Sequence, residues 1–339
     1  MLLSPTADQA RPIDGMQATC LKGGSLSGTY LVSDRGLRFV RKDVSTIENR
    51  EYGFYRWFSQ LKKLQRLHHK HPDLFPAVLN VDADASRAWY DLEYVSGAVT
   101  LDSFLAGPRS DAEIEAAFAA FMTALDRLHA PRIPSFASAL HLYLCQEVDR
   151  ALHFCLQDAA FLAFSRHPTL TFNGVRVPSL LQHLTAFQEL ADRHATNAYE
   201  TDTHGNVTLE NTLYLPEEQR IVFIDLYEEN FVDNIYNEYS QVLQSCSSCY
   251  ELYNAGSAQI VGSAIDLRLA PHPALDGFDA LFQRALRLRC TADELVLIRL
   301  YEVTQYTRML PFKRQVAPDK LILFYGLASL LMDRLMNDL

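Results

Sequence analysis

Residues 203–214 of this chain read THGNVTLENTLY, and residues 221–230 read IVFIDLYEEN. The apolar runs TLYL and RIVFID predict two short strands that pair as a hairpin. Asn211 lies just before the first strand and Asp225 ends the second, so their side-chain oxygens fall at the same end of the hairpin. Amide and carboxylate oxygens are hard ligands of the kind that Mg²⁺ prefers. The pattern therefore predicts a magnesium site at these two residues. If only these two residues are considered, the alternative to a magnesium site is a hairpin whose turns happen to contain polar residues.

A glycine-rich turn lies far upstream, in the sequence GGSLSG at residues 23–28. The flanking sequence predicts a strand on each side of this turn and a third strand after the tight turn at residues 34–36. Glycines let backbone N–H groups approach a polyphosphate, and the candidates for this contact are Gly24, Ser25, Ser27 and Gly28. Because the GxGxxG spacing is absent, an ordinary structural turn is the alternative.

Lys42 lies in the third predicted strand, within the sequence FVRKDV. Val40 is two residues away and points to the same face, so the valine could cover a nucleotide base while the lysine reaches the phosphates. Arg41 points to the opposite face, where we expect it to be exposed. On the helix predicted next, Glu51 could pair with Lys42 and hold it extended, with Glu48 as the competing partner. The apolar stripe of this helix is predicted at three-residue steps, at Tyr52, Tyr55, Phe58, Leu61 and Leu64. Taken singly, a solvated lysine and a solvated glutamate are the alternative.

The order of the predicted elements divides the chain into two parts. Residues 1–16 read as an irregular arm, and residues 17–97 as a small strand-rich part with one long helix that Ser45 or Thr46 could cap. Residues 98–339 are mostly helical, with helices predicted at about 111–130, 137–164 and 178–195 and at the C-terminus. We therefore predict an α+β, two-lobed architecture with a cleft. At the boundary, the backbone at Glu93 and Val95 could contact an adenine ring.

Composition and charge narrow the possible functions. The chain has 31 Lys and Arg residues against 41 Asp and Glu residues, and its net charge of −10 argues against broad nucleic-acid binding. Cys246 and Cys249 lack the second pair or the histidines that a zinc site needs, so we expect reduced thiols and a cytoplasmic location. We expect neither a signal peptide nor a membrane span, since no run of about 18 apolar residues is present. The sequence gives no firm indication of oligomeric state.

The sequences HGNVTLEN and IDL resemble those of the aminoglycoside phosphotransferase-like branch of the protein-kinase-like superfamily, which has HGDxxxxN followed by IDW or IDF. The resemblance implies a two-lobed kinase-like fold that binds ATP and Mg²⁺ and transfers the γ-phosphoryl group to a hydroxyl of a small molecule, such as a sugar or amino sugar. It also implies site roles. Lys42 would bind phosphates and pair with Glu51, Asn211 and Asp225 would bind Mg²⁺, and His204 would brace the loop.

Asn206 is the main departure from this family pattern, because it stands where the family has its catalytic carboxylate. The side-chain carbonyl of an asparagine can accept a hydrogen bond from a substrate hydroxyl, but it cannot usefully take the proton at pH 7. Losing a general base typically costs ~10²–10⁴ in rate, although phosphoryl transfer depends more on positioning and charge neutralisation. Asn206 therefore predicts slow turnover and retained nucleotide binding. Leu226 also replaces the usual aromatic residue after the magnesium aspartate.

Three explanations for Asn206 stay open at this point. It could be a deliberate Asp-to-Asn substitution, it could mark a natural pseudokinase or slow kinase, or the base could lie elsewhere, with Asp202 as the nearest candidate. Asp202 could equally be a carboxylate that caps the loop. A kinase that modifies proteins is a further alternative to a small-molecule kinase.

Overall fold

The described residues combine helices with mainly antiparallel sheets, so the predicted α+β class is confirmed. The structure is a computed structural model that describes residues 10–13, 16–21, 27–48, 50, 53–130, 133–134, 137–194, 199–227 and 233–339. The chain divides into two compact units. The first unit comprises Met1–Gly107, Ala119–Leu128 and His204–Asn230, and the second comprises Pro108–Phe118, His129–Thr203 and Phe231–Leu339.

In chain order, the strands and helices are β1 Ala10–Ile13, β2 Met16–Cys20, β3 Gly28–Asp34, β4 Leu37–Ser45, α1 Phe54–Lys70, β5 Val78–Ala83, β6 Arg87–Glu93, β7 Val99–Thr100, α2 Leu101–Ala106, α3 Asp111–Leu128, β8 Ile133–Pro134, α4 Ala137–Cys155, α5 Ala159–Ser165, β9 Thr169–Phe172, β10 Val175–Pro178, α6 Leu184–His194, β11 Tyr199–Glu200, β12 Thr212–Leu215, β13 Arg220–Phe223, α7 Ile235–Cys246, α8 Tyr250–Ala255, β14 Gln259–Val261, β15 Ala264–Asp266, α9 Pro273–Arg289, α10 Ala292–Thr307, α11 Leu310–Val316 and α12 Pro318–Asp338. Short 3-10 helices precede α6 and β12, at Leu180–His183 and Leu209–Asn211.

The first unit is built around a six-stranded antiparallel sheet with the strand order β1-β2-β3-β4-β6-β5. Residues 10–13, which we predicted as part of an irregular arm, form the edge strand β1 and pair with β2. Pro12 is compatible with that position because an edge strand needs to donate hydrogen bonds on one side only. A second sheet, with the order β13-β12-β7, contains the predicted hairpin.

Helix α1 begins later than we predicted, at Phe54 rather than after a cap at Ser45 or Thr46. Ser45 is the last residue of β4, and its hydroxyl accepts a hydrogen bond from the backbone N–H of Glu48 at 2.9 Å. The serine therefore caps a turn that follows the strand. A serine capping a turn and a serine capping a helix have the same local sequence signature, which explains the error.

The buried face of α1 also differs from the predicted one. The sequence suggested a stripe at three-residue steps that included Tyr55 and Phe58, but these side chains are 50% and 40% exposed. The face that packs on the sheet contains Trp57, Leu61 and Leu64, which follow the spacing of four and three residues. A constant step of three drifts around a helix with 3.6 residues per turn, so the stripe leaves the buried face.

Strand β4 alternates between two faces, as predicted. Val40 and Lys42 share the face that packs against α1, where the indole N–H of Trp57 donates to the Lys42 carbonyl at 3.4 Å. Arg41 lies on the other face and was expected to be exposed, but it is 5% exposed and makes a bidentate ion pair with Asp91 at 2.7 and 2.9 Å. Arg41 and Asp91 are direct cross-strand neighbours, so the register of β4 and β6 provides the partner.

The second unit is mainly helical, with α7 and α12 both packed against α10. The helix that we predicted at 137–164 is two helices, because Asp158 caps α5 by accepting a hydrogen bond from the N–H of Phe161 at 2.9 Å. The unit also contains a four-stranded sheet with the order β10-β9-β15-β14, which we did not predict. Its β9–β10 hairpin turns at Asn173 and Gly174, both of which have positive φ.

The structure is consistent with two expectations from composition. The six cysteines are free thiols, and Cys246 and Cys249 lie at the end of α7 and just before α8. Over the described ranges, none of the helices has both the length and the apolar character that crossing a membrane requires.

Candidate functional site

The predicted hairpin forms, and it brings Asn211 next to the segment that carries Asp225. Strands β12 and β13 pair from Thr212 with Phe223 onward. Beyond the last pair, the N–H of Ile224 donates to the carbonyl of Asn211 at 3.0 Å. Asp225 follows directly, so the two predicted magnesium ligands lie at the same end of the hairpin.

Lys42 and Asp225 form an ion pair although they lie 183 residues apart in sequence. The side chain of Lys42 is 9% exposed, and its ammonium group contacts one carboxylate oxygen of Asp225, whose side chain is 39% exposed. Burial raises the pKa of Asp225, but the charge of Lys42 and its hydrogen bond outweigh burial and hold the pKa below its ordinary value. The carboxylate is therefore ionised at neutral pH and partly open to solvent.

His204 joins the loop to the Asp225 segment. Its imidazole is fully buried and accepts a hydrogen bond at Nδ1 from the N–H of Asn206, at 3.2 Å. The other ring nitrogen lies 2.8 Å from the carbonyl of Ile224 and must donate to it, since a carbonyl can only accept. The two contacts fix a neutral imidazole with its proton on Nε2. The carbonyl of His204 also accepts from the N–H of Tyr227 at 3.0 Å, so the predicted bracing contacts of His204 are present.

Asn206 is held by its backbone. Its carbonyl accepts from the N–H of Thr208 at 2.8 Å and from the side-chain amide of Asn211 at 3.0 Å. Its own amide side chain has no hydrogen-bond partner among the described residues and is half-buried. Gly205 next to it has φ of 85°, a conformation that glycine adopts without strain. Within the described part of the chain, only the backbone of Asn206 is held by hydrogen bonds.

The oxygen donors of Asn211 and Asp225 fit a magnesium ion. The amide nitrogen of Asn211 faces the carbonyl of Asn206, which leaves its side-chain oxygen as the unused group. Lys42 contacts one oxygen of Asp225 and leaves the second oxygen without a hydrogen-bond partner within the described part of the chain. Mg²⁺ typically takes one or two protein ligands and completes its shell with water and phosphate oxygens. Asn211 and Asp225 supply two oxygen donors of this kind at the same end of the hairpin.

Three residues that we did not predict complete the site. The side-chain amide of Gln60 in α1 donates to the carbonyl of Leu226 and, at 3.4 Å, to Asp225. Tyr90 donates to the side-chain oxygen of Gln60 at 3.2 Å. One turn along α1, Lys63 donates to the carbonyl of Tyr227 at 2.8 Å. The available signal was weak, since polar residues within an amphipathic helix usually face solvent.

The glycine-rich turn is only partly described. Gly24 and Ser25 lie outside the described residues, as does Glu51, so their predicted roles stay predictions. Gly28 begins β3, and a side chain at this position would collide with Asp43 and with the ring of Tyr30. That collision gives Gly28 a structural reason for being glycine, independent of any phosphate contact. Ser27 precedes it and is half-buried.

The other residues predicted to contact a nucleotide differ in how well their positions suit that role. Val40 is half-buried on the same face as Lys42, as its predicted role over a base requires. The N–H of Glu93 already donates to the carbonyl of Ala77 at 2.9 Å, so this donor is occupied. Val95 lies beyond the end of β6 and is half-buried.

Asp202, the alternative base, belongs to the second unit, whereas Asn206 belongs to the first. Asp202 is half-buried. Next to it, the hydroxyl of Thr203 donates to Asp233 at 2.5 Å, and the N–H of Thr201 donates to the carbonyl of the same residue at 3.0 Å. These contacts hold the segment around Asp202, and a role for Asp202 as a base stays a prediction.

Within the described ranges, no three histidine, cysteine, aspartate or glutamate side chains group together as a metal site. Cys246 and Cys249 therefore have no partners for zinc among these residues, whereas a magnesium site of one amide and one carboxylate does not need such a group. A scan against models of protein families finds no match for the chain, and a search of curated proteins finds none either.

Proposed function

We propose that this chain is an ATP- and Mg²⁺-dependent phosphotransferase with a two-lobed kinase-like fold, and that its acceptor is a hydroxyl of a small molecule. The contact between Lys42 and Asp225 carries the proposal. It joins β4, the second strand after the glycine-rich turn, to the segment that follows the β12–β13 hairpin, the pairing that phosphoryl transfer uses to hold phosphates and metal together. The sugar or amino sugar class of the acceptor rests on the family resemblance alone.

Each residue has a defined task in this proposal. Lys42 supplies a positive charge for the phosphates, and Asn211 and Asp225 supply the oxygens that would hold Mg²⁺. When bound, Mg²⁺ neutralises the charge that develops on the transferred group. His204 keeps the loop against the Asp225 segment through the backbone of Asn206 and Ile224. The positioning groups of the reaction are therefore present without a general base at residue 206.

Asn206 would orient the acceptor hydroxyl without removing its proton. Its free side-chain amide can accept a hydrogen bond from that hydroxyl through its carbonyl oxygen. The proton must then leave with the transferred group or to water, and the missing base costs ~10²–10⁴ in rate. The proposal therefore includes slow turnover for the natural chain.

A second candidate function is a nucleotide-binding regulator with little catalysis. The observation that favours it is again Asn206, because this residue weakens the chemistry and leaves the Lys42–Asp225 pair intact. Nucleotide binding is common to both functions, and turnover separates them.

Thermal unfolding with ATP and Mg²⁺ tests what the two functions share. Ligand at 100 times its Kd should stabilise the folded chain by about 2.7 kcal/mol. Asp225→Ala should abolish the magnesium-dependent part of this stabilisation. An unfolding temperature that ATP and Mg²⁺ leave unchanged would reject both functions, and full stabilisation of Asp225→Ala would reject the metal assignment.

Asn206→Asp separates the two functions. If the remaining machinery is a transferase, this substitution should raise ATP consumption by ~10²–10⁴ in the presence of a suitable acceptor. A panel of small hydroxyl compounds, with sugars and amino sugars first, provides the acceptor. Nucleotide binding without turnover by either the parent or Asn206→Asp across the panel would favour the regulator.

A further inference from the structure

The segment of residues 225–227, which we call the Asp225 strap, is attached to helix α1 by two side chains. Gln60 donates to the carbonyl of Leu226, and Lys63 donates to the carbonyl of Tyr227 at 2.8 Å. The two residues are three apart on the helix and therefore lie on the same face. The strap is thus bonded to α1 along its length, in addition to its bond to His204.

Gln60 also contacts the carboxylate of Asp225, at 3.4 Å, on the same oxygen that Lys42 contacts. The orientation of its amide is determined by Tyr90, which is 1% exposed and donates to the side-chain oxygen of Gln60 at 3.2 Å. Because this oxygen is occupied, the amide nitrogen must face the strap. Tyr90 is itself the cross-strand neighbour of Lys42, so the sheet and the helix hold the same carboxylate.

The backbone of the strap needs such support. Asp225 has φ of 55°, in the left-handed region that residues other than glycine, asparagine and aspartate seldom adopt. A residue in such a conformation persists when its surroundings fix it. Gln60 contacts the carboxylate of Asp225 and also the backbone carbonyl of the next residue, Leu226.

We infer that Gln60 is a positioning residue for the proposed magnesium site: oriented by Tyr90, it fixes the Asp225 carboxylate and the strap so that the second carboxylate oxygen is left for the metal. This inference rests on the proposed function and adds a residue to it. It predicts that the metal affinity depends on a helix residue that does not itself touch the metal. Such supporting contacts typically change metal affinity by 10–100-fold.

The test uses the full chain with Gln60→Met, which keeps the side-chain length and removes the three hydrogen bonds of the Gln60 side chain, to Leu226, to Asp225 and from Tyr90. The matched control is Gln65→Met, the same change at an exposed position of the same helix. The first readout is the Mg²⁺ concentration that half-saturates the binding of ADP, measured by calorimetry. We expect this concentration to rise by 10–100-fold in Gln60→Met and by less than twofold in the control. The affinity for ADP without Mg²⁺ should change little in either variant.

Hydrogen exchange of the strap amides, with neither nucleotide nor metal present, provides the second readout. We expect exchange in Gln60→Met to be at least about tenfold faster at residues 225–227, because local opening becomes easier when the anchoring bonds are lost. Tyr90→Phe is the second variant, since it keeps the ring that packs on Trp57 at 5.1 Å and removes only the hydroxyl. It should change both readouts in the same direction by a smaller factor, and this protects the test if Gln60→Met does not fold.

The outcomes separate the inference from the proposed function. Unchanged exchange and magnesium dependence in Gln60→Met and Tyr90→Phe would overturn the inference while leaving the proposed function standing. Faster exchange with an unchanged magnesium requirement would also overturn it, because Gln60 would then be merely structural. A parent chain that does not bind ADP with Mg²⁺ would reject the proposed function and, with it, the metal-positioning role of Gln60.

Discussion

Arg41 and Lys42 are consecutive basic residues in one strand, and each forms an ion pair with an aspartate, yet the two pairs differ in what they leave open. Arg41 donates hydrogen bonds to both carboxylate oxygens of Asp91, at 2.7 and 2.9 Å. The side chains of Arg41 and Asp91 are 6% and 8% exposed. Lys42 contacts one oxygen of Asp225, whose side chain is 39% exposed. The first pair is closed, whereas the second retains an oxygen and access to solvent.

The two faces of the strand therefore differ in exposure: the Arg41 pair is buried, whereas the Lys42 pair includes a carboxylate that is partly exposed. On the Arg41 face the guanidinium lies between the rings of Phe39 and Trp89, 5.5 and 5.4 Å from their centres. Removing one member of a buried ion pair is strongly destabilising, because the other charge then stays buried. On the Lys42 face the partner comes from a distant part of the chain and can exchange contacts with a ligand.

The largest expected effect on stability is at the Arg41–Asp91 pair, which we call the closed pair. Asp91→Leu removes the carboxylate that pairs with the buried guanidinium of Arg41, so the free energy of unfolding should fall by about 3–5 kcal/mol. Urea denaturation measures this loss. The double variant Arg41→Met with Asp91→Leu should recover most of it, because neither charge is then buried alone. A loss below about 1 kcal/mol in the single variant would mean that the pair is not enclosed as described.

The Lys42–Asp225 pair, which we call the open pair, should respond differently. Lys42→Met should lower the free energy of unfolding by only about 1 kcal/mol, because Asp225 can remain hydrated. The same variant should lose the stabilisation that ATP with Mg²⁺ gives to the parent chain in thermal unfolding. A loss of stability as large as that of Asp91→Leu would break the comparison, because the two pairs would then be equivalent.

The pH dependence of the open pair sharpens the comparison further. The folded pKa of Asp225 is lowered, so the unfolded chain binds more protons between that pKa and the ordinary value of about 4. The stabilisation is therefore complete above about pH 4 and is lost as the pH falls through the folded pKa. Without Lys42, burial raises the pKa of Asp225, so the difference in urea midpoint between the parent and Lys42→Met should be largest at neutral pH and shrink in acid. Asp225→Asn, which does not titrate, should show no such dependence on the Lys42 substitution.

The smallest expected effect is at Asn206. Asn206→Ala should change the free energy of unfolding by less than about 0.5 kcal/mol, because only the backbone of Asn206 holds the loop. Urea denaturation beside Asn211→Ala gives the contrast, since the side chain of Asn211 donates a hydrogen bond. A loss above about 1 kcal/mol in Asn206→Ala would show that its amide supports the fold.

The sequence allowed the N-terminal sheet and the hairpin at the site to be predicted, because short-range alternation and turn residues specify them. The same rules should have found the β9–β10 hairpin, where Asn173 and Gly174 separate two strands of mixed apolar and polar residues and adopt the positive φ that a two-residue turn requires. The strong helical pattern on both sides led us to overlook it. The start of α1 could not be located, because the signature of Ser45 fits a turn equally well.

For the candidate site, Lys42 and Asp225 could be chosen from motif and spacing, whereas Gln60 and Lys63 could not. Their contacts depend on how α1 packs on the sheet, and the sequence does not specify that rotation. The burial of Arg41 was missed for a similar reason, since alternation gives its face but only the strand register supplies Asp91. Short-range patterns thus predict the strands and helices, whereas the partners of these side chains depend on tertiary packing.

The backbone bonding of Asn206 has an evolutionary consequence. Because the side chain of Asn206 makes no hydrogen bond to the described residues, substitutions here should cost little folding stability, and under the proposed function this position could vary with selection on rate. Codons for asparagine and aspartate differ at a single base, so under the proposed function one point mutation would separate a slow transferase from a fast one. The substitution would leave the folding stability nearly unchanged in either direction, so evolution could convert one form into the other.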